Sequence, residues 1–413
     1  MYVKRIPAPL IFIFIIISVW VPNSNYGSTD SLAIVRYAVY AACAIVLIAL
    51  GAPIWAPKIH RYKSTALLIL LCIYWCVSTL WSQNPTDSAM KSILLLLTLL
   101  ASVSIALRPN PEHSYSAIVL ALSLFMLASF VVCLIYPDVG LETSFQHAGK
   151  WKGLAGQKNP FGLASAVTFI LLLAPTRFLP RVLRPTPVRL LVLAVCATCL
   201  WMSGSRGTLV DVAAALMGIG FVKASNRLRV ITLATVGSFL VIFLCLATLE
   251  VTLSGSNVSV FGHAIDTSNR LLIWGFAFDN WNGHELLGVG YGGFWNDYNS
   301  SRFETMNGWV LPNFHNGYVS ILIETGILGS VIFLLFAASL CRSVNRSSKL
   351  VNAAGLYTIS GMLALFFFHN IYENNLTRST DFLMLLFFVS VVFIDHARYG
   401  MKSVDTGIAR NHD

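Results

Sequence analysis

Charge is what this 413-residue sequence has least of. Only 11% of its residues are Asp, Glu, Lys or Arg, against 56% hydrophobic, and mean hydropathy is +0.71. So few charges cannot cover a water-exposed surface, which excludes a soluble globular protein. Polar stretches are scarce as well. The longest, 251–317, is too short and too aromatic for an independent domain, so 1–413 is expected to form a single integral membrane domain. Signatures of metal and nucleotide chemistry are also missing. There is no HExxH and no DxD. The glycines of "LLGVGYGGFW" lack the strand–turn–helix setting of a dinucleotide fingerprint and the Lys-Ser/Thr of a P-loop. Cys196 and Cys199 make a CxxC in "LAVCATCLW". With no second CxxC and no nearby His, they read as small apolar residues of a packed helix. No metal site and no cofactor are expected.

What the sequence has instead is apolar runs of about 20 residues from end to end, the length that crosses a bilayer as a helix. Spans are predicted at 8–22, 32–52, 64–81, 89–107, 115–136, 160–179, 188–203, 207–222, 229–250, 318–342, 351–370 and 380–396, an all-α polytopic membrane fold of about twelve helices. The first run follows Lys4 and Arg5 but lacks a clear small-x-small cleavage site, so it reads as a helix rather than a leader. With the N-terminus in the cytoplasm, an even count returns the C-terminus there. Every Lys and Arg then falls on the cytoplasmic side except Arg36, Lys91, Lys150, Lys152, Lys158, Arg206, Arg270, Arg302 and Arg378. That bias satisfies the positive-inside rule for a bacterial inner membrane. Residues 137–159 and 251–317 become periplasmic loops, the second carrying short interfacial helices.

The exceptions to the rule cluster. "GKWKGLAGQKNPFG" (149–162) brings Lys150, Lys152, Lys158 and Asn159 to the outer face. Pro160 suits the first turn of a helix, whose N-terminus is a ready anion site. "SGSRG" (203–207) is a tight turn that offers Arg206 either to a phosphate or, by snorkelling, to lipid headgroups. In "DTSNRLLIWGFAFDNW" (266–281), Asp266, Ser268 or Asn269 would cap a short helix led by Arg270. "LLGVGYGGFW" follows as a flexible, close-packed turn with Tyr291 and Trp295 available for stacking. "NFHNGYVSILIETGILG" (313–329) sets His315 and Asn316 at the lip of an apolar helix, with Glu324 inside it. A neutral imidazole is a candidate base, and an intramembrane carboxylate is rare enough to be paired or functional. Gly326 and Gly329 are expected to split this span in two.

One base, several fixed cations and no metal set suit a substrate that brings its own activation. A lipid-linked pyrophosphate sugar does so. His315 would take the acceptor hydroxyl proton, while Arg206 and Arg270 stabilise charge on the leaving pyrophosphate. The stretches "KGLAGQKNPFG", "SGSRG", "SNRLLIW", "LLGVGYGGFW" and "FHNGYVSILIETGILG", in this order, resemble the O-antigen ligase and polysaccharide polymerase superfamily over roughly 145–380. The resemblance implies a C-type glycosyltransferase fold. It also implies His315 as base, and Arg206 and Arg270 holding undecaprenyl pyrophosphate without metal. Lys158 is expected to join the clamp, with Asn159, Asn316 and Glu324 in support. Gln157 departs from relatives that place a His there.

Two products fit the resemblance. A polymerase moves the glycan onto a lipid-linked repeat unit, and the "GYGGFW…HNGY" texture looks more like its exopolysaccharide branch. A ligase moves the glycan onto lipid A–core. A transporter without chemistry is the alternative from another class. It would place charges near the bilayer midplane rather than at one face.

Overall fold

The computed structural model describes residues 8–20, 31–51, 62–108, 111–144, 147–224, 259–260, 263–264, 270–309, 313–353 and 357–400. Helices dominate: α1 (Ala8–Trp20), α2 (Ser31–Leu50), α3 (Lys63–Val77), α4 (Pro85–Ala106), α5 (Pro111–Ile135), the single turn α6 (Pro137–Gly140), α7 (Lys158–Leu172), α8 (Thr186–Ser203), α9 (Arg206–Lys223), α10 (Arg270–Asp279), α11 (Asp297–Asn307), α12 (Gly317–Ala353), α13 (Tyr357–Tyr372) and α14 (Phe382–Gly400). Between the described residues 259 and 264, two two-residue strands pair antiparallel.

Every predicted span falls on one of these helices except 229–250, which lies outside the described residues. Five helices among the described residues are long and apolar enough to cross a membrane: Lys63–Trp81, Pro85–Ala106, Glu112–Ile135, Thr186–Ser203 and Gly317–Ser348. Shorter apolar helices occur at Ala8–Val19, Ile34–Leu50, Lys158–Leu172 and Phe382–Ala397. The fold is therefore an all-α membrane protein, and the expected count of about twelve is not reached by this measure. The span predicted at 160–179 is shortened at its far end. Its helix stops at Leu172, and Pro175 and Pro180 then each lead a 3-10 turn, as residues that cannot continue a helical ladder.

Two local devices position the functional end. First, α8 ends in Gly204 at φ 61 and turns straight into α9. This left-handed cap suits glycine, so Arg206 opens the next helix without a linker. Helix α9 then packs closely on α13 through small residues. A Cβ on Gly218 would strike Ala364 and the Ser360 carbonyl, and one on Gly361 the Ala215 carbonyl. Small residues let membrane helices approach backbone to backbone. At the end of this seam the ring of Tyr372 fills the space a Cβ on Gly207 would need.

Second, α12 is broken. Gly326 sits at φ 67, ψ −169 inside it. A break in hydrocarbon leaves backbone groups that need partners. The glycine-rich stretch supplies them. Val289 N–H donates to the Ile323 carbonyl at 3.1 Å and Gly290 N–H to the Glu324 carbonyl at 2.9 Å. Across the break, Ile327 and Leu328 N–H groups donate to the Glu285 and Leu286 carbonyls at 2.8 and 3.1 Å. A Cβ on Gly288 would collide with the Glu324 backbone, and one on Gly326 with the Leu286 carbonyl. So "GVGYGG" is rigidly engaged rather than a flexible turn. Its aromatic rings are engaged too. Tyr291 is buried, stacked 5.4 Å from Trp75, and its hydroxyl donates to the Thr377 carbonyl at 2.9 Å. Trp295 stacks on Phe276 at 6.0 Å. Gly329 does not break the helix; only Gly326 leaves helical geometry there.

Candidate active site

His315 occupies the turn that leads into α12. It has φ 48, the one non-glycine residue with positive φ among the described residues. A non-glycine held in that region is strained, and such strain persists where the surroundings enforce it. Here they do so from three sides. The His315 N–H donates to Asn313 Oδ1 at 2.8 Å. Phe314 is buried against Phe294 and Trp295, at 5.1 and 5.4 Å, and its carbonyl accepts from Trp274 Nε1 at 2.9 Å. Asn316 caps α12, its Oδ1 accepting from Tyr318 and Val319 N–H at 2.9 and 3.0 Å. Its Nδ2 reaches the Ile371 carbonyl at 2.9 Å. Asn316 thus holds the His315 turn against the end of α13.

The partner found there is one that sequence reasoning missed. His315 Nδ1 lies 3.2 Å from Glu373 Oε2, with the two side chains 32% and 13% exposed. Asn159 Nδ2 donates to the other carboxylate oxygen at 3.2 Å, and Gly317 N–H donates to the Glu373 carbonyl at 3.0 Å. Burial alone would push the Glu373 carboxyl up. The His315 hydrogen bond, with the charges of His315, His369 and Arg378, overrides it and holds the group down at about 2. Glu373 is therefore a carboxylate.

The cations gather around this pair. Lys158 opens α7, and the charges of Lys150, Glu142, Arg206 and Glu373 all reach it. Arg206 is exposed at the start of α9. Arg270 opens α10 with its Nε buried and without a hydrogen-bond partner among the described residues. Its charge reaches the Tyr372 hydroxyl. The three residues proposed to cap that helix, Asp266, Ser268 and Asn269, lie outside the described residues. The N-terminus of α7 is not vacant, because Glu142 Oε1 accepts from the Lys158 N–H at 2.9 Å. An anion meeting Lys158 must use its ammonium rather than the helix end.

Beneath the turn lies a buried set joining α9 to α13. Asp211 Oδ2 accepts from the Tyr372 hydroxyl and meets His369 Nδ1 at 2.8 Å, with His369 Nδ1 3.0 Å from the Tyr372 oxygen. It ties the helix carrying Arg206 to the one that presents Glu373. Glu324 stands apart. It is buried, feels the charge of Lys91, and its Oε2 has no hydrogen-bond partner among the described residues, while its backbone carbonyl accepts from the Gly290 N–H. Lys91 Nζ itself donates to the Gly292 carbonyl at 3.1 Å. Glu324 therefore belongs to the brace of the broken helix, not to the groups around Glu373. Among the described residues, no three His, Cys, Asp or Glu side chains converge as a metal site. Cys196 and Cys199 are buried and unbridged.

No curated protein matches this chain. Residues 190–334, from within α8 to the first part of α12, match the family model described as O-antigen ligase (Wzy_C), which takes in Arg206, Arg270, His315 and Glu324 but neither Lys158 nor Glu373. That match supports placing the chain in the O-antigen ligase-like superfamily.

Proposed function

We propose that this protein is a membrane glycosyltransferase that moves a glycan from undecaprenyl pyrophosphate to an acceptor hydroxyl at the periplasmic face of the inner membrane. The observation that carries this reading is the His315–Glu373 pair with Lys158, Arg206 and Arg270 around it, cations that form no ion pair among the described residues. Glu373 accepts a hydrogen bond from the His315 Nδ1–H, a tautomer that leaves the lone pair on Nε2. Nε2 takes the acceptor proton as that oxygen bonds to the anomeric carbon. The anomeric carbon–oxygen bond breaks, and its electron pair leaves on the lipid pyrophosphate. Arg206, Arg270 and Lys158 meet that developing charge, work that a divalent ion performs elsewhere. No metal or cofactor takes part. Asn159 orients Glu373, and Asn316 holds the His315 turn.

The acceptor decides the product. We favour a lipid-linked repeat unit, which makes the protein a polymerase of exopolysaccharide or O antigen. Transfer to lipid A–core would make it a ligase. Transport without chemistry is less well supported, because Lys158, Arg206 and Arg270 each open a helix rather than sit midway along one.

The test is reconstitution in vesicles with lipid-linked repeat units, with and without lipid A–core, resolving products on a gel. A ladder without lipid A–core supports polymerisation, and a single shift dependent on it supports ligation. Absence of any glycosidic product contradicts the reading. Product formed only when substrates lie on the face of the chain termini would place the site on the wrong side.

A further inference from the structure

The cation set extends beyond the three residues assigned above, onto a separate small hairpin. After α6, residues 141–144 pair with residues 147–151. Leu141 bridges Trp151, Glu142 N–H donates to the Lys150 carbonyl at 2.8 Å, and Gly149 N–H to the Glu142 carbonyl at 3.1 Å. The hairpin is anchored at three places. Trp151 is buried, packs edge-on to Phe130 at 5.7 Å, and its N–H donates to the Met202 carbonyl at 3.1 Å. Lys152 N–H donates to the Gly140 carbonyl at 2.8 Å. The Glu142 side chain docks on the Lys158 N–H.

This frame aims Lys150 at the α8–α9 turn. Its side chain lies across Gly204, and a Cβ there would sit 2.9–3.1 Å from its last three atoms. Gly204 directly precedes Ser205 and Arg206. The charges of Lys150 and Arg206 both act on Lys158. Among the described residues none of these three cations forms an ion pair. Like charges held together on a rigid frame repel one another, and an anion between them reverses that cost. The charges of Glu142 and Glu373 also reach Lys158, but neither forms an ion pair with these cations among the described residues.

We infer that Lys150 is a fourth phosphate-binding cation of this site, delivered by the 141–151 hairpin, and that it contacts the diphosphate of the polyprenyl donor. The inference rests on the proposed glycosyltransferase reading, since the ligand is the leaving group of that reaction. The shared chemistry is a phosphate ester, so a phospholipid headgroup is the competing source.

The experiment measures binding of undecaprenyl pyrophosphate to the full-length protein in phosphatidylcholine vesicles, and in vesicles that also contain phosphatidylglycerol. Lys150→Ala should weaken binding about tenfold, as loss of a charge-assisted contact does. Lys150→Arg should restore most of it. Lys152→Ala should bind normally, because the side chain that lies across Gly204 is that of Lys150. Normal binding by Lys150→Ala, with Arg206→Ala still weakened, overturns the role of Lys150 and leaves the clamp intact. A Lys150→Ala defect seen only with phosphatidylglycerol also overturns it, making Lys150 a headgroup anchor. If Arg206→Ala, Arg270→Ala and Lys158→Ala all bind normally, the clamp reading itself fails.

Discussion

Two carboxylates, Glu373 between α13 and α14 and Asp395 within α14, are satisfied in different ways. Asp395, late in α14, accepts from the Thr65 N–H and hydroxyl at 2.8 and 3.1 Å and from the Ser343 hydroxyl at 3.1 Å. These partners are neutral, and they close the start of α3 against α12 and α14. Glu373 instead meets an imidazole and an amide, with cations around it that form no ion pair among the described residues. A carboxylate saturated by neutral donors is a brace. One that orients a titratable ring, which keeps a second nitrogen for other work, is part of a reacting set.

This contrast is sharpest under isosteric substitution. Glu373→Gln should lower kcat for transfer about 10–100-fold with little change in donor KM, because it removes the charge that orients and supports the His315 ring. It should also alter stability in a pH-dependent way. With its folded-state pKa held down at about 2, Glu373 contributes stability above the ordinary carboxylate value and loses it as pH falls toward about 2. The stability gap between wild type and Glu373→Gln should therefore be open near about pH 5 and close as pH falls toward about 2, as followed by thermal unfolding.

A smaller effect is expected at the clamp. Arg206→Lys and Arg270→Lys should each cost about tenfold in turnover, since an ammonium cannot reproduce a two-pronged hold on phosphate. Wild-type rates in both would make these arginines membrane anchors. The smallest effect on activity belongs to Asp395→Asn. It should leave kcat per folded protein unchanged while lowering stability by about 1–3 kcal/mol. A kcat loss as large as that of Glu373→Gln would erase the distinction between the two carboxylates.

Much of this was legible in the sequence because the signals are local. Apolar length marks the spans, the Gly204 turn is written in "SGSRG", and Gly326 marks the break in α12. His315 stands out because imidazole is unusual at an apolar boundary. Glu373 was not legible for a physical reason: its contact with His315 joins two loop segments 58 residues apart. Its one signal was the polar run "HNIYENN" closing an apolar segment. There Asn370 Oδ1 accepts from the Asn375 and Leu376 N–H groups, both at 2.8 Å, and builds the turn that presents Glu373. The filled N-terminus of α7 was hidden likewise, because Glu142 reaches it from a hairpin whose pairing is tertiary. Glycines of "GVGYGG" pointed to close approach, but only the fold shows that what they approach is the broken helix.

The most direct test of the account compares wild type and His315→Ala for turnover of a lipid-pyrophosphate donor, each after EDTA treatment and at equal amounts of inserted protein. The account predicts that wild type keeps its rate in EDTA and that the variant loses about 10²–10⁴-fold, the usual worth of a general base. Near-normal turnover by His315→Ala, or a wild-type rate lost in EDTA and restored by magnesium or manganese, would contradict it.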